Sequence, residues 1–167
     1  MTVLTTDVLI LASGKSSRYI SRTKKQNVKI NGTSIVDVAI SKFLYLKQIR
    51  DIYLITNDLT LAKKSKYKDK LKTIKGGSSR ARSVFCGLEY LENNKPPNNI
   101  IIHDVVRPII DKNDLRNLLS YSDKIKTGIG FGYPLTNALK KVGKGSIIKE
   151  NIKKENYYVS FTPQLFN

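Results

Sequence analysis

The segment Asp7–Ser13, DVLILAS, is apolar almost without interruption and ends in small residues. A run this short with no polar alternation predicts a strand covered on both faces. Ile52–Thr56 (IYLIT) and Ile100–His103 (IIIH) repeat the pattern, and Leu71–Lys75 (LKTIK) predicts one more strand, closed by GGSSR. Between these runs the period lengthens. Thr33–Leu46 places Ile35, Val38, Ala39, Phe43 and Leu46 at helical spacing, with Thr33 as the cap. Asp58 is positioned to open a second helix. Ala81–Glu92 sets Val84, Phe85, Leu88 and Leu91 on one helical face, KPPNN at 95–99 breaks it, and Asp111–Ser122 reads as a capped helix.

Strand and helix alternate through most of the chain, which predicts an α/β domain with right-handed crossovers and a mainly parallel sheet carrying helices on both faces. After Lys126 the pattern shifts to glycine-rich, short alternating runs, read as strands and a hairpin or arm with GKGS as a turn. Nothing repeats internally, so the 167 residues are read as one domain.

Composition changes this picture in two ways. Thirty Lys+Arg against 13 Asp+Glu give a net charge of +17, which favours polyanionic or phosphorylated partners by long-range attraction and is equally the mark of a solvated, lysine-rich surface. A single cysteine, Cys86, excludes an intrachain disulfide and fits a reducing, cytoplasmic setting; beside Phe85 it is expected to be a buried, inert thiol. The N-terminal apolar stretch has strand length and no basic residues before it, so neither a signal peptide nor a membrane span is expected.

In open α/β sheets ligands bind beyond the carboxyl ends of the strands. Three unusual stretches fall there: ASGKSSR after the first strand, GGSSR after the third and HDVVRP after the fourth. They are expected to line one crevice. ASGKSSR offers small residues that let backbone N–H groups approach a phosphate, and Lys15, Arg18, Arg22, Lys24 and Lys25 gather charge behind it. It is neither a P-loop nor GxGxxG. Asp104 falls where an apolar strand ends, with Arg107 three residues on; a carboxylate there can hold Mg²⁺ and an arginine can grip phosphate by its fork. His103 is expected to be a hydrogen-bonded core histidine. One histidine and one cysteine leave no Ser-His-Asp triad to argue and no zinc site. The residues describe a nucleoside triphosphate site.

In the order ILASGKSSR, KKQ, GGSSRARSVFCGL, IIIHDVVRP, YPLTNALKKV and FTPQLF, the chain resembles the cytidylyltransferases that make CDP-linked sugar alcohols, over essentially its whole length. The types in question act on 2-C-methyl-D-erythritol 4-phosphate or on ribitol 5-phosphate. TNALKKV leans to the former; HDVVRP and RSVFCGL fit either. The resemblance implies a Rossmann-like nucleotidyltransferase domain, CTP as substrate, Mg²⁺, and a homodimer built by an arm at about residues 134–158, with no part for nucleic acid or membrane. By similarity Leu11, Ala12, Ser13, Gly14 and Lys15 lie against CTP, and Arg18 and Lys25 stabilise the transition state. Gly77, Ser78, Arg80 and Ser83 surround the cytosine and ribose. Asp104 takes the metal, and Arg107, Lys154 and Thr162 face the acceptor.

The chain departs from the family pattern at several of these places. Ser16 stands where glycine is usual, Ser13 where alanine or glycine is usual, Lys24-Lys25-Gln26 replaces Pro-Lys-Gln, Asn137-Ala138 replaces Asp-Thr, and Lys154 replaces an arginine and its bidentate grip. Family members also carry, past the position of Asn167, a Thr-Asp-Glu and an Asn-Ile-Lys stretch with a second metal carboxylate and a further acceptor lysine. An active cytidylyltransferase is therefore the first reading and a nucleotide-binding relative with impaired catalysis the second. A basic nucleic-acid-binding domain comes third: it draws on charge alone and lacks a recognition helix or aromatic RNA-binding pattern.

Overall fold

In the computed structural model, which describes residues 4–14 and 25–167, the first apolar run forms β1 (Thr6–Leu11), buried at every position. Two minor strands, β2 (Lys29–Ile30) and β3 (Thr33–Ser34), form a short hairpin with Asn31 and Gly32 at positive φ in its turn. Helix α1 (Ile35–Ser41) follows. Its cap is Ser34, whose hydroxyl accepts from the Asp37 N–H, not Thr33, which is taken up by β3; the helix ends at Ser41, well short of Leu46. β4 (Ile49–Thr56), α2 (Leu59–Lys63, capped by Asp58), β5 (Lys72–Lys75), α3 (Arg80–Asn94), β6 (Asn99–Asp104) and α4 (Lys112–Leu119, capped by Asp111) complete the predicted alternation.

The main sheet has the order β5-β4-β1-β6-β10-β7, where β7 is Gly128–Pro134 and β10 is Tyr158–Phe166. The first four strands are parallel and the last two antiparallel to their neighbours. Period-two alternation divides the core. Val8 and Ile10 face one side with Ile52, Leu54 and Ile101, covered by α1 and α4; Phe43, fully buried there, contributes about 1.5–3 kcal/mol by leaving water. Leu9, Leu11, Tyr53, Ile55 and Ile102 face the other side, covered by α3.

The way α3 packs differs from the expected hydrophobic face. Phe85 and Leu88 are exposed, and the buried positions are Ser83, Gly87 and Leu91. A side chain at 87 would begin 2.6 Å from Ile55 Cδ1 and 2.8 Å from Leu9 Cδ1, so the helix sits on the sheet by its small residues. Cys86 is half-buried, not buried as expected, because it flanks that contact row.

The strand succession runs from β1 outward to β5 and then back across β1 to β6. This is the reversal that opens a crevice at the carboxyl ends of such sheets. The register fixes it: Leu11 pairs with both Ile55 and Asp104. The remaining strands, β8 (Leu139–Val142) and β9 (Ile148–Ile152), form a hairpin separate from the main sheet.

Candidate nucleotide site

Three chain segments meet where β1, β5 and β6 end. Ala12 continues β1 for one residue by donating its N–H to the Ile55 carbonyl at 2.7 Å, and Ser13 and Gly14 then leave the sheet. Gly76, whose N–H reaches the Thr56 carbonyl, turns the chain from β5 into α3. A Cβ on Gly76 would lie 2.4 Å from Ser13 Cβ, so the two loops touch only because residue 76 has no side chain. Ala12, Ser13, Gly14, Gln26, Asn57, Asp58, Gly76, Gly77 and Ser78 enclose a pocket of about 350 Å³.

Hydroxyl groups hold this pocket in shape. Ser83, fully buried in the first turn of α3, lies 2.6 Å from Ser13 Oγ, 3.1 Å from the Gly77 N–H and 2.8 Å from the Ser79 carbonyl. A hydroxyl has one proton to give. Ser83 directs it to Ser79, so Ser13 and the Gly77 N–H are the donors, an assignment that satisfies all three contacts. Ser79 caps α3 by accepting from the Arg82 N–H. The positive end of α3 thus adjoins the pocket, an arrangement suited to anions, with the Gly76 and Gly77 N–H groups of the turn engaged by the Thr56 carbonyl and Ser83. Gln26, nearly buried, donates to the Gly14 carbonyl at 3.2 Å and ties the residues after the first loop back to it.

Asp104 ends β6 beside this pocket. Arg80 Nε donates to its Oδ1 at 3.0 Å and Arg107 Nε lies 3.7 Å from its Oδ2. The Asp104 backbone is fixed as well. Its N–H donates to Thr162 Oγ1 at 3.1 Å and its carbonyl accepts from the Arg107 N–H at 2.9 Å. Thr162 comes from β10, at the interruption in pairing between Phe161 and Gln164, where its side chain is buried. The same hydroxyl lies 3.1 Å from His103 Nδ1.

His103 is the core histidine anticipated from its position. It has no exposure, packs against Phe43 at 5.6 Å between ring centres, and burial pushes its pKa down to about 4, against the pull of the neighbouring Asp104 charge. It is neutral at physiological pH and forms a floor under Asp104.

Of the residues singled out in the sequence, Leu11, Ala12, Ser13, Gly14, Gly77, Ser78, Arg80, Ser83, Asp104 and Arg107 are gathered at this end of the sheet. Thr162 adjoins them from beneath, with its hydroxyl engaged by Asp104 and His103. Lys25 begins the 3₁₀ turn Lys25–Asn27 that delivers Gln26 to the pocket. Lys154 lies elsewhere, after β9, where its ammonium donates to the Thr136 carbonyl. Lys15 and Arg18 lie outside the described residues, as do Ser16, Arg22 and Lys24. Gly76 falls in the GGSSR stretch expected there, whereas Gln26, Asn57 and Asp58 also line the pocket without having been named as site residues; applying the strand-end rule to IYLIT finds the last two.

A divalent cation fits this donor set in one form. Among the described residues no three acidic, histidine or cysteine side chains cluster, so Asp104 is not part of an all-protein metal cage. Mg²⁺ is commonly held by one or two carboxylates with substrate phosphates and water completing the shell. A larger groove of about 660 Å³ lies along β7 and β10, lined by glycine, apolar and uncharged polar positions with no lysine or arginine among them. No helix among the described residues is long and apolar enough to cross a membrane.

Comparison with known proteins agrees with this geometry. The sequence profile of the 2-C-methyl-D-erythritol 4-phosphate cytidylyltransferase family matches residues 6–167. The enzyme of that name from Wigglesworthia glossinidia brevipalpis is 31% identical over 163 residues, covering 96% of this chain and 69% of the relative. The one from Petrotoga mobilis is 29% identical over 164 residues, covering 95% and 71%. Among solved structures, a 4-diphosphocytidyl-2C-methyl-D-erythritol synthase superposes with a TM-score of 0.80 at 21% identity, covering 98% of this chain and 75% of the other. The Francisella tularensis 2-C-methyl-D-erythritol 4-phosphate cytidylyltransferase superposes with 0.79 at 23% identity, covering 96% and 71%. At these identities the superpositions speak for the fold alone.

Proposed function

The chain belongs to the 2-C-methyl-D-erythritol 4-phosphate cytidylyltransferase family, and from that premise we propose that it transfers CMP from CTP to 2-C-methyl-D-erythritol 4-phosphate in isoprenoid precursor synthesis. An oxygen of the acceptor's phosphate attacks the α-phosphorus of CTP, the α–β phosphoanhydride bond breaks, and pyrophosphate leaves with the electron pair. The observation that carries the reading is the crevice itself: two small-residue loops held in contact by Gly76 and Ser83, with Asp104 and two arginines at its side.

Such a displacement asks little covalent chemistry of the protein; it asks for positioning and positive charge. In this reading backbone N–H groups of Ser13, Gly14, Ser78 and Ser79 receive the nucleotide and Ser78 borders its cytosine and ribose, while Ser83, fully buried, supports both loops from beneath instead of bordering the nucleotide as the resemblance implies. Arg80, paired with Asp104, is assigned to the phosphates in place of the cytosine and ribose that the resemblance gives it. Lys25 and Arg18 stabilise charge that grows on the phosphates in the transition state. Arg107 borders the acceptor; Thr162, expected there from the resemblance, is buried and serves instead to hold Asp104 from beneath. Asp104 would hold Mg²⁺, which when bound to the phosphates supplies charge neutralisation.

We also assign the β8–β9 hairpin, within residues 134–158, to pairing with a second copy of the chain. It stands apart from the main sheet with Val142, Ile147 and Ile148 exposed, and Tyr133, Tyr157 and Tyr158 are exposed at its base. Lys154, at the end of this hairpin and away from its own chain's crevice, is assigned to the acceptor phosphate of the second copy, which it would reach only through that pairing. The test is pyrophosphate release from CTP with methylerythritol phosphate and ribitol 5-phosphate offered separately. Release with the first and little with the second is expected; release with ribitol 5-phosphate alone would transfer the assignment to that acceptor, and release with neither would refute it.

A further inference from the structure

Both oxygens of the Asp104 carboxylate face a guanidinium, and the two arginines come from different elements. Arg80 is the first residue of α3; Arg107 lies in the turn after β6. The three groups together carry a net charge of +1. Among the described residues no acidic cluster offsets this sum. A divalent cation placed on Asp104 alone would therefore share one negative charge with two adjacent positive ones.

We propose that Arg80 is the resident counter-ion of Asp104 in the nucleotide-free protein, and that it releases the carboxylate only when a nucleoside triphosphate enters, so that the metal is admitted with the nucleotide and not before it. The inference rests on the reading of the crevice as a triphosphate site. The two partners differ in freedom. Asp104 is pinned through its own N–H, by Thr162, and through its carbonyl, by the Arg107 N–H. The Arg80 side chain is about half exposed and its backbone is set by the Ser79 cap, so its fork can swing from carboxylate to phosphate while the helix stays in place. A triphosphate offers a guanidinium a stronger, forked partner and reverses the sign of the local charge. The arrangement keeps free metal off the site and makes Arg80 a reporter of nucleotide arrival.

The experiment follows the Arg80 Nε–H signal by ¹H–¹⁵N NMR, assigned by its loss in Arg80→Gln, together with Mn²⁺ affinity from water-proton relaxation. In the nucleotide-free protein millimolar Mg²⁺ should leave the signal in place, MgCTP should move it, and Asp104→Asn should move it with no ligand added. Arg80→Gln without nucleotide should bind Mn²⁺ about fivefold or more tightly than the native chain, because one repelling charge is gone. Movement of the signal by Mg²⁺ alone, or equal Mn²⁺ affinity in the two proteins, would overturn the proposal. Should CTP fail to bind the native chain, the triphosphate reading falls, yet the Mn²⁺ comparison still decides whether Arg80 guards Asp104.

Discussion

Thr162→Val removes one oxygen and leaves the side-chain volume almost unchanged, which isolates the hydroxyl that props up Asp104. That hydroxyl is buried, accepts from the Asp104 N–H at 3.1 Å and lies 3.1 Å from His103 Nδ1. Valine leaves both partners without a replacement, since water does not reach the position. Each of the two unsatisfied buried groups costs about 1–3 kcal/mol, and the added methyl returns up to about 0.8 kcal/mol, so a loss of about 1–5 kcal/mol is expected. For a domain of this size that is a fall in Tm of about 2–20 °C. Thr162→Ser keeps the oxygen and loses a methyl, at about 1 kcal/mol. Both variants are compared by thermal unfolding and by steady-state kinetics. Valine should be the more destabilising and should lower kcat through misplacement of Asp104, while serine retains kcat. Equal destabilisation, or an unchanged kcat in the valine variant, would show that the hydroxyl does not position Asp104.

Gly76→Ala should abolish measurable CTP binding by calorimetry while the chain stays folded by circular dichroism, because the new Cβ meets Ser13 Cβ at 2.4 Å and must part the two loops. His103, with its pKa lowered to about 4 against 6.5 when exposed, contributes stability that is complete above about pH 6.5 and is lost as pH falls toward 4. The loss amounts to about 3 kcal/mol, and His103→Gln should flatten that part of a denaturant-unfolding pH profile. Arg50→Ala should cost about 3–5 kcal/mol by urea unfolding, since it strands the fully buried Asp7 carboxylate that Arg50 grips through two nitrogens at 2.9 and 2.6 Å. Lys25→Ala should lower kcat more than CTP affinity, as expected of a charge acting mainly on the transition state; weaker CTP binding with unchanged kcat would make Lys25 a ground-state anchor.

The parallel half of the sheet was legible because β1 and β6 are sandwiched between two helical layers, and such strands must be apolar on both faces. Their ends were legible for the same reason: where the apolar run stops, the crevice begins, and Asp104 marks that point. The face of α3 was misread because Ser83 and Gly87 make the contact, and small residues carry no hydrophobic signal even where they allow the closest approach. Thr162 was placed near the acceptor, but its engagement with Asp104 and His103 required a strand from the far end of the chain to pair with β6. The Asp7–Arg50 pair was missed likewise. A polar residue at the start of an apolar run reads as a boundary, and its partner lies 43 positions away.

The proposed seat of cytidylyl transfer is the crevice at the ends of β1, β5 and β6. It is tested most directly by following CTP, Mg²⁺ and 2-C-methyl-D-erythritol 4-phosphate by ³¹P NMR with the native chain and with Asp104→Asn. The native chain should form pyrophosphate and the cytidine diphosphate-linked product in equal amounts, while Asp104→Asn should remain folded and form neither at a comparable rate. An unchanged rate in Asp104→Asn, or no linked product from the native chain, would contradict it.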